Sequence, residues 1–182
     1  EDDVVGVFGA QSLSIAYGGA QVEVSLQVPG AHNQANALAA AAGAIALGAP
    51  LATIRDALAA FTGVAGRLRM FTGHNSATII DDTYNANPDS VKAAIRVLAS
   101  RAAPRMVVLG DMGELGAGAP ALHAEIGAFA RECGIEALMA TGELSRETVA
   151  AFGAAGAHFA DIEGLVSALL PRLHADTSVL VK

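Results

Sequence analysis

Met106-Val107-Val108-Leu109-Gly110-Asp111 reads as a short, wholly apolar strand that runs into a tight polar turn. Four apolar residues without polar alternation belong to a strand covered on both faces, as in parallel sheets. On its carboxyl side, Leu122, Ile126, Phe129 and Cys133 recur at helical spacing and predict a helix with one apolar face. On its amino side, Val91, Ala94, Ile95 and Leu98 mark another helix, and before that Thr78-Ile79-Ile80-Asp81 is a β-rich run ending in an acid. Residues 137–140 predict a further strand, helices are expected around Thr148 and across residues 165–169, and residues 179–181 close as a strand. Strand alternating with helix predicts an α/β fold, an open and mostly parallel sheet covered by helices. Ligands on such sheets sit beyond the carboxyl ends of the strands, so the loops after Ile80 and Leu109 are the places to look.

The stretch before this has another rhythm. Residues 4–28 alternate and turn, with Gly18-Gly19 between β-rich runs predicting a hairpin. A hairpin alone is marginally stable, so these strands are expected to pair within a larger sheet. Two helices follow, over about residues 35–47 and 51–61, separated by Gly48-Ala49-Pro50, with Leu51, Ile54, Leu58 and Phe61 at helical spacing. Thr62-Gly63-Val64-Ala65-Gly66 breaks the pattern and is read as a linker, dividing the chain into residues 1–63 and 64–182.

Composition narrows the function. Of 182 residues, 53% are apolar and 16% charged, so a packed core is expected rather than disorder. The longest Ala-rich run, residues 37–49, contains Gly43 and Gly48 and is too weakly apolar to predict a membrane span. Glu1, Asp2 and Asp3 are opposite in sign to the start of a secretory signal, so no export is implied. A net charge of −7 with scattered basic residues argues against a nucleic-acid partner. The single cysteine, Cys133, excludes an internal disulfide, fits a reducing compartment and is read as a buried structural thiol. Metal-ligand spacings are absent, with His32, His74, His123, His158 and His174 far apart.

Four polar stretches carry candidate chemistry, each beside a bland alternative. In Asp81-Asp82-Thr83-Tyr84-Asn85-Ala86-Asn87-Pro88, Asn87 and Pro88 suit a helix start, while the two carboxylates, the ring and the extra amide suit a polar ligand with hydroxyls and a flat base. In Pro29-Gly30-Ala31-His32-Asn33-Gln34-Ala35-Asn36, the asparagines one helical turn apart suit either capping or the donor-acceptor edge of an adenine. Gly66-Arg67 offers a guanidinium on a flexible linker, suited to phosphate oxygens or to solvent. Leu109-Gly110-Asp111-Met112-Gly113-Glu114-Leu115-Gly116 is Gly-rich but acidic, so it is no phosphate cradle; it suits an ammonium group or a plain tight connection.

Taken in order, His32-Asn33-Gln34-Ala35-Asn36-Ala37-Leu38-Ala39-Ala40, Gly66-Arg67, residues 81–88, and residues 109–116 with His123 beyond resemble the Mur ligase family. The DDxYNANP and LGDMxELG forms are similar to members that take D-alanyl-D-alanine as acceptor rather than alanine, glutamate or a diamino acid. The resemblance implies that residues 1–63 are the strand and helix tail of a central ATPase domain and residues 64–182 a C-terminal Rossmann-like domain. It implies further that Asn33 and Asn36 face adenine, that Arg67 reaches the ATP phosphates, and that Asp82 holds the ribose, with Tyr84 and Asn87 lining the nucleotide site. Asp111, Glu114 and His123 match family positions and are assigned to the dipeptide side or to loop structure.

The implied reaction is ATP-dependent: the γ-phosphate moves to the carboxylate of UDP-N-acetylmuramoyl-tripeptide, and the amine of D-alanyl-D-alanine displaces phosphate from the acyl phosphate in a step of peptidoglycan precursor synthesis. These 182 residues hold no GTNGKT-type loop and no catalytic residue of the central domain, and their only lysines are Lys92 and Lys182. Mg²⁺ ligands are therefore expected outside them, and the isolated polypeptide is expected not to ligate. The resemblance also implies a cytoplasmic monomer. The alternatives are a Mur-type ligase for another acceptor, a nucleotide-binding oxidoreductase, for which the GxGxxG fingerprint is missing, and a non-catalytic interaction domain.

Overall fold

Alternating side chains build the first sheet of the computed structural model, which describes residues 3–182; Glu1 and Asp2 of the acidic start lie outside the described residues. Strands β1 (Val5–Phe8), β2 (Ser12–Tyr17) and β3 (Ala20–Ser25) are antiparallel in the order β1-β2-β3. In β2, Leu13 and Ile15 are fully buried while their neighbours are not, the two-residue period of a one-sided sheet. The Gly18-Gly19 hairpin forms as expected, setting Tyr17 opposite Ala20 with φ of 59° and 76°, values open to glycine and matched to strand twist. Helices α1 (Ala31–Ala46) and α2 (Leu51–Ala60) close the core, where Ala37, Ala41 and Ile54 meet Leu13, Ile15, Val24 and Leu26. Helix α1 begins four residues before the expected start, since nothing after Pro29-Gly30 breaks a helix. Gln34, buried on α1, donates to the Gly9 carbonyl at 2.7 Å and ties the helix to the β1–β2 turn.

The chain divides into two compact units, Glu1–Gly63 and Val64–Lys182. In the second, strands β4 (Arg69–Thr72) and β5 (Thr78–Asp81) precede α3 (Pro88–Ala99), β6 (Arg105–Leu109) and α4 (Ala119–Glu132). Strand β7 (Ala137–Thr141), α5 (Ser145–Phe152), β8 (Gly156–Phe159), α6 (Ile162–Leu169) and β9 (Ser178–Val181) follow. The sheet order is β4-β5-β9-β6-β7-β8, with β4 antiparallel and the rest parallel, which bears out the α/β expectation. Strands β4 and β8 are additions to the sequence reading. Both are edge strands, and with one partner each they carry half-exposed residues instead of an apolar run.

Alternate residues of the central strands face opposite layers. Val107, Leu109, Leu138 and Leu180 pack against Val91, Ile95 and Leu98 of α3 and Ile126 of α4, whereas Met106, Val108, Met139 and Val179 pack against Leu165 of α6. Covering both faces is why these strands read as continuous apolar runs. The buried stripe of α4 is centred on His123, Ile126, Gly127 and Ala130, leaving Phe129 and Cys133 at its margin. Cys133 is thus half-buried, and burial pushes its thiol up, so it stays protonated and inert. Among the described residues no helix is long and apolar enough to cross a membrane.

Candidate functional site

The carboxyl end of β5 organises the first candidate loop. Asp81 accepts at Oδ2 from the Gly66 N–H (3.0 Å) and at Oδ1 from the Thr83 hydroxyl (2.7 Å) and N–H (3.3 Å). Burial pushes this carboxyl up, but those bonds and the Arg69 charge outweigh it and hold Asp81 below its ordinary value. Asp82 accepts at Oδ1 from the Leu68 N–H (3.0 Å) and at Oδ2 from the Lys182 ammonium. The Gly66 carbonyl in turn accepts from the Tyr84 N–H (3.0 Å). Residues 66–68 are therefore laced to residues 81–84, which corrects the expectation of a flexible linker at Arg67. Two adjacent carboxylates capture its backbone amides.

This lacing brings Arg67, Asp82, Tyr84 and Asn87 to one place. The Arg67 guanidinium lies over the Tyr84 ring, 4.1 Å from its centroid, and Tyr84 is 68% exposed, so a flat, cationic pair faces solvent. Asn87 is the N-cap of α3: its Oδ1 accepts from the Ser90 N–H (2.9 Å), its own N–H donates to the Ser90 hydroxyl (3.1 Å), and Pro88 opens the helix. Lys182, at the carboxyl end of β9, is the residue that sequence reasoning passed over. A charged residue closing an apolar run was its only signal.

The loop after β6 is built differently. Asp111 accepts at Oδ1 from the Ser145 N–H (2.8 Å) and hydroxyl (2.7 Å), and at Oδ2 from the Leu144 N–H (3.3 Å). Burial pushes the Asp111 carboxyl up, but those three donors outweigh it and hold it below its ordinary value. His123 is 1% exposed; its Nδ1–H donates to the Ala119 carbonyl (2.8 Å) and its Nε2 accepts from the Met112 N–H (3.0 Å). Both ring nitrogens are spent on the fold. Glu114 differs from both, since it is exposed and held at φ 60°, a conformation that disfavours side chains with a Cβ.

Beyond β7 and β8 lies a cavity of about 400 Å³ lined by Gly142, Glu143, Arg146, His158 and Ala160. His158 Nε2 donates to the Gly142 carbonyl (2.6 Å), while Arg146 holds no hydrogen bond or ion pair among the described residues. In the first unit, neither asparagine caps α1, whose N-cap is Gly30 without a side-chain bond. Asn33 donates to the Pro29 carbonyl (2.7 Å), and the exposed Asn36, one turn on and on the same face, keeps its whole amide open. Capping is thus excluded for this pair. Among the described residues no group of three or more His, Cys, Asp or Glu side chains is placed to hold a metal ion.

Residues 66–182 match the family model described as Mur ligase, glutamate ligase domain. The chain belongs to the Mur ligase family. Within that family it is 43% identical, over 148 residues, to UDP-N-acetylmuramoyl-tripeptide--D-alanyl-D-alanine ligase of Escherichia coli, a match covering 81% of this chain and 32% of the relative. A crystal structure of MurF from Acinetobacter baumannii superposes with a TM-score of 0.85 at 30% identity, over 99% of this chain and 42% of that one. The MurF ligase of Thermotoga maritima, solved in complex with ADP, shares the fold with a TM-score of 0.80 at 20% identity, over 100% of this chain and 42% of that one. The chain spans about a third of the length of the curated relatives it matches.

Proposed function

We propose that this Mur ligase chain is the nucleotide-closing and acceptor-receiving part of an ATP-dependent ligase that adds D-alanyl-D-alanine to UDP-N-acetylmuramoyl-tripeptide. What supports this most is the gathering of Arg67, Asp82 and Tyr84 at the carboxyl end of β5, in a chain 43% identical to a ligase of that name. Residues 1–63 would be the tail of the central ATPase domain and residues 64–182 the C-terminal domain, in a cytoplasmic monomer. The exposed guanidinium of Arg67 suits the phosphates of ATP, Asp82 the ribose, Tyr84 and Asn87 the lining of the nucleotide site, and the amides of Asn33 and Asn36 an adenine edge.

In the proposed reaction a carboxylate oxygen of the tripeptide bonds to the γ-phosphorus while the bond to the ADP oxygen breaks. The dipeptide amine then attacks the acyl carbon, loses a proton, and expels inorganic phosphate as the amide forms. Both steps depend on positioning and charge neutralisation. Mg²⁺ would be held by groups outside residues 1–182, and no step is assigned to a metal held by this chain. The acceptor would approach from the β6–β8 side, where Glu114 and the open Arg146 offer groups for an ammonium and a carboxylate. Three strand spacings, about 14 Å, separate the ends of β5 and β7, room for an extended dipeptide beside a nucleotide.

Phosphate release that depends on ATP, UDP-N-acetylmuramoyl-tripeptide and D-alanyl-D-alanine tests this, for the 182-residue polypeptide and for a ligase of full family length carrying it. Only the longer protein is expected to turn over, with D-alanyl-D-alanine as acceptor. Robust ligation by the 182-residue chain, or preference of the longer one for L-alanine or D-glutamate, would overturn the proposal.

A further inference from the structure

Lys182 carries a buried charge at the meeting point of three strand ends. Its N–H donates to the Val108 carbonyl of β6 (2.9 Å), its carbonyl accepts from the Gly110 N–H (2.9 Å), and the Val181 carbonyl before it accepts from the Asp82 N–H beyond β5 (3.0 Å). The backbone is thus locked on both sides. Its side chain is 2% exposed and that of Asp82 13%. An ammonium so buried must be paired and must satisfy three N–H donors. It does both inside residues 82–85: one donor goes to Asp82 Oδ2, one to the Asn85 carbonyl (2.9 Å), and the third points at the Asp82 carbonyl (3.5 Å).

This assignment of protons excludes the obvious role for a lysine near a nucleotide. With its donors turned into the loop, Lys182 has none to give a phosphate. Asp82, by contrast, is half spent. A carboxylate has about four lone-pair positions, and among the described residues only the Leu68 N–H and the Lys182 ammonium occupy them. The open positions match two hydroxyl donors side by side, the chemistry of a ribose diol.

We infer that Lys182 is a positioning residue for nucleotide binding: its ammonium fixes the Asp82 carboxylate and folds residues 82–85 around itself, so that Asp82 meets the ribose hydroxyls in a preset orientation. This rests on the assignment of Asp82 to the ribose made above. Removing the ammonium leaves Asp82 anchored by a single amide and frees the Asn85 carbonyl, so the loss falls on hydroxyl recognition rather than on the chemical step.

The test uses a ligase of full family length carrying this segment, with KM and kcat measured for ATP and 2′-deoxy-ATP. The unaltered enzyme is expected to favour ATP by about tenfold or more in KM, the worth of one charge-assisted hydrogen bond. Lys182→Met should raise the KM for ATP by about tenfold and leave that for 2′-deoxy-ATP nearly unchanged, collapsing the preference, with kcat within about threefold. Lys182→Arg should recover part of the preference. If Lys182→Met does not fold, Lys182→Gln is measured in its place with the same expectation. A variant that keeps the ATP preference while losing kcat or thermal stability would overturn the inference and leave Lys182 a structural residue only. Asp82→Asn separates this from failure of the underlying assignment. If the unaltered enzyme does not discriminate and Asp82→Asn leaves the KM for ATP unchanged, the ribose role falls, and the inference with it.

Discussion

Asp82 and Asp111 leave the same edge of one parallel sheet, just past β5 and β6, and each carboxylate is held from both of its oxygens. Their partners differ in kind. Among the described residues Asp111 accepts only from the start of α5, where its negative charge also meets the positive end of the helix. The loop around it is sealed by the buried Met112 and by His123, with both ring nitrogens in use. Asp111 and His123 are the strut of that loop, and Glu114 stands exposed from it. Asp82 is held by a buried ammonium and one amide, and beside it the Arg67 and Tyr84 pair stands open. Two acidic loops that look alike in composition are thus divided by what satisfies the acid. Where a helix start takes three of the carboxylate's positions, the acid is tied into the fold; where one ammonium and one amide hold it, two positions stay open beside an exposed pair.

The strut is broken most directly at His123. His123→Ala removes both ring bonds, orphans the Met112 N–H in the core and leaves a cavity, so chemical denaturation of residues 64–182 should show a loss of about 3 kcal/mol. A loss under about 1 kcal/mol would mean that the β6 loop does not depend on this residue.

Asp111→Asn is the milder break, expected to lower stability by about 1 kcal/mol at neutral pH, as for loss of a helix cap. The acid limb sharpens it. Asp81, Asp111 and Glu136 are all held below their ordinary values, Glu136 first by the Arg105 guanidinium at 2.7 Å. The unfolded chain therefore takes up protons more readily, so their stabilisation is full above about pH 4 to 5 and is lost as pH falls through the depressed folded values. Asp111→Asn should flatten that limb, and an unchanged slope would remove Asp111 from it.

The smallest effect is expected at Glu114. Glu114→Gly relieves a left-handed backbone position and should stabilise the unit by about 0.5 to 1 kcal/mol. If Glu114 meets the incoming amine, the same change raises the KM for the dipeptide in a full-length ligase while leaving that for ATP alone. A stability gain without that rise would confine Glu114 to loop geometry.

Legibility in the sequence follows distance along the chain. The central strands β5, β6, β7 and β9 announce themselves because burial on both faces makes them apolar runs, whereas edge strands β4 and β8 carry too few buried residues to stand out. The loop after β5 is visible because its polar residues are contiguous, and the capping of α3 by Asn87 is visible because it spans one turn. The helix start at Ala31 is hidden because His32, Asn33 and Gln34 read as a polar preamble, although a helix tolerates them. The bonds that decide the two loops lie beyond any local pattern: Lys182 reaches Asp82 across 100 positions, and Ser145 reaches Asp111 across 34. Sequence periodicity reports burial and turns, and says nothing of which carboxylate is spent.

The division of labour between the two loops is tested most directly by nucleotide affinity. In a ligase of full family length carrying this segment, the KM for ATP is to be compared between Asp82→Asn and Asp111→Asn, each checked for folding. A rise of about tenfold or more for Asp82→Asn, with Asp111→Asn within about twofold of the unaltered enzyme, is the predicted result. Equal rises, or a larger one for Asp111→Asn, would contradict the account.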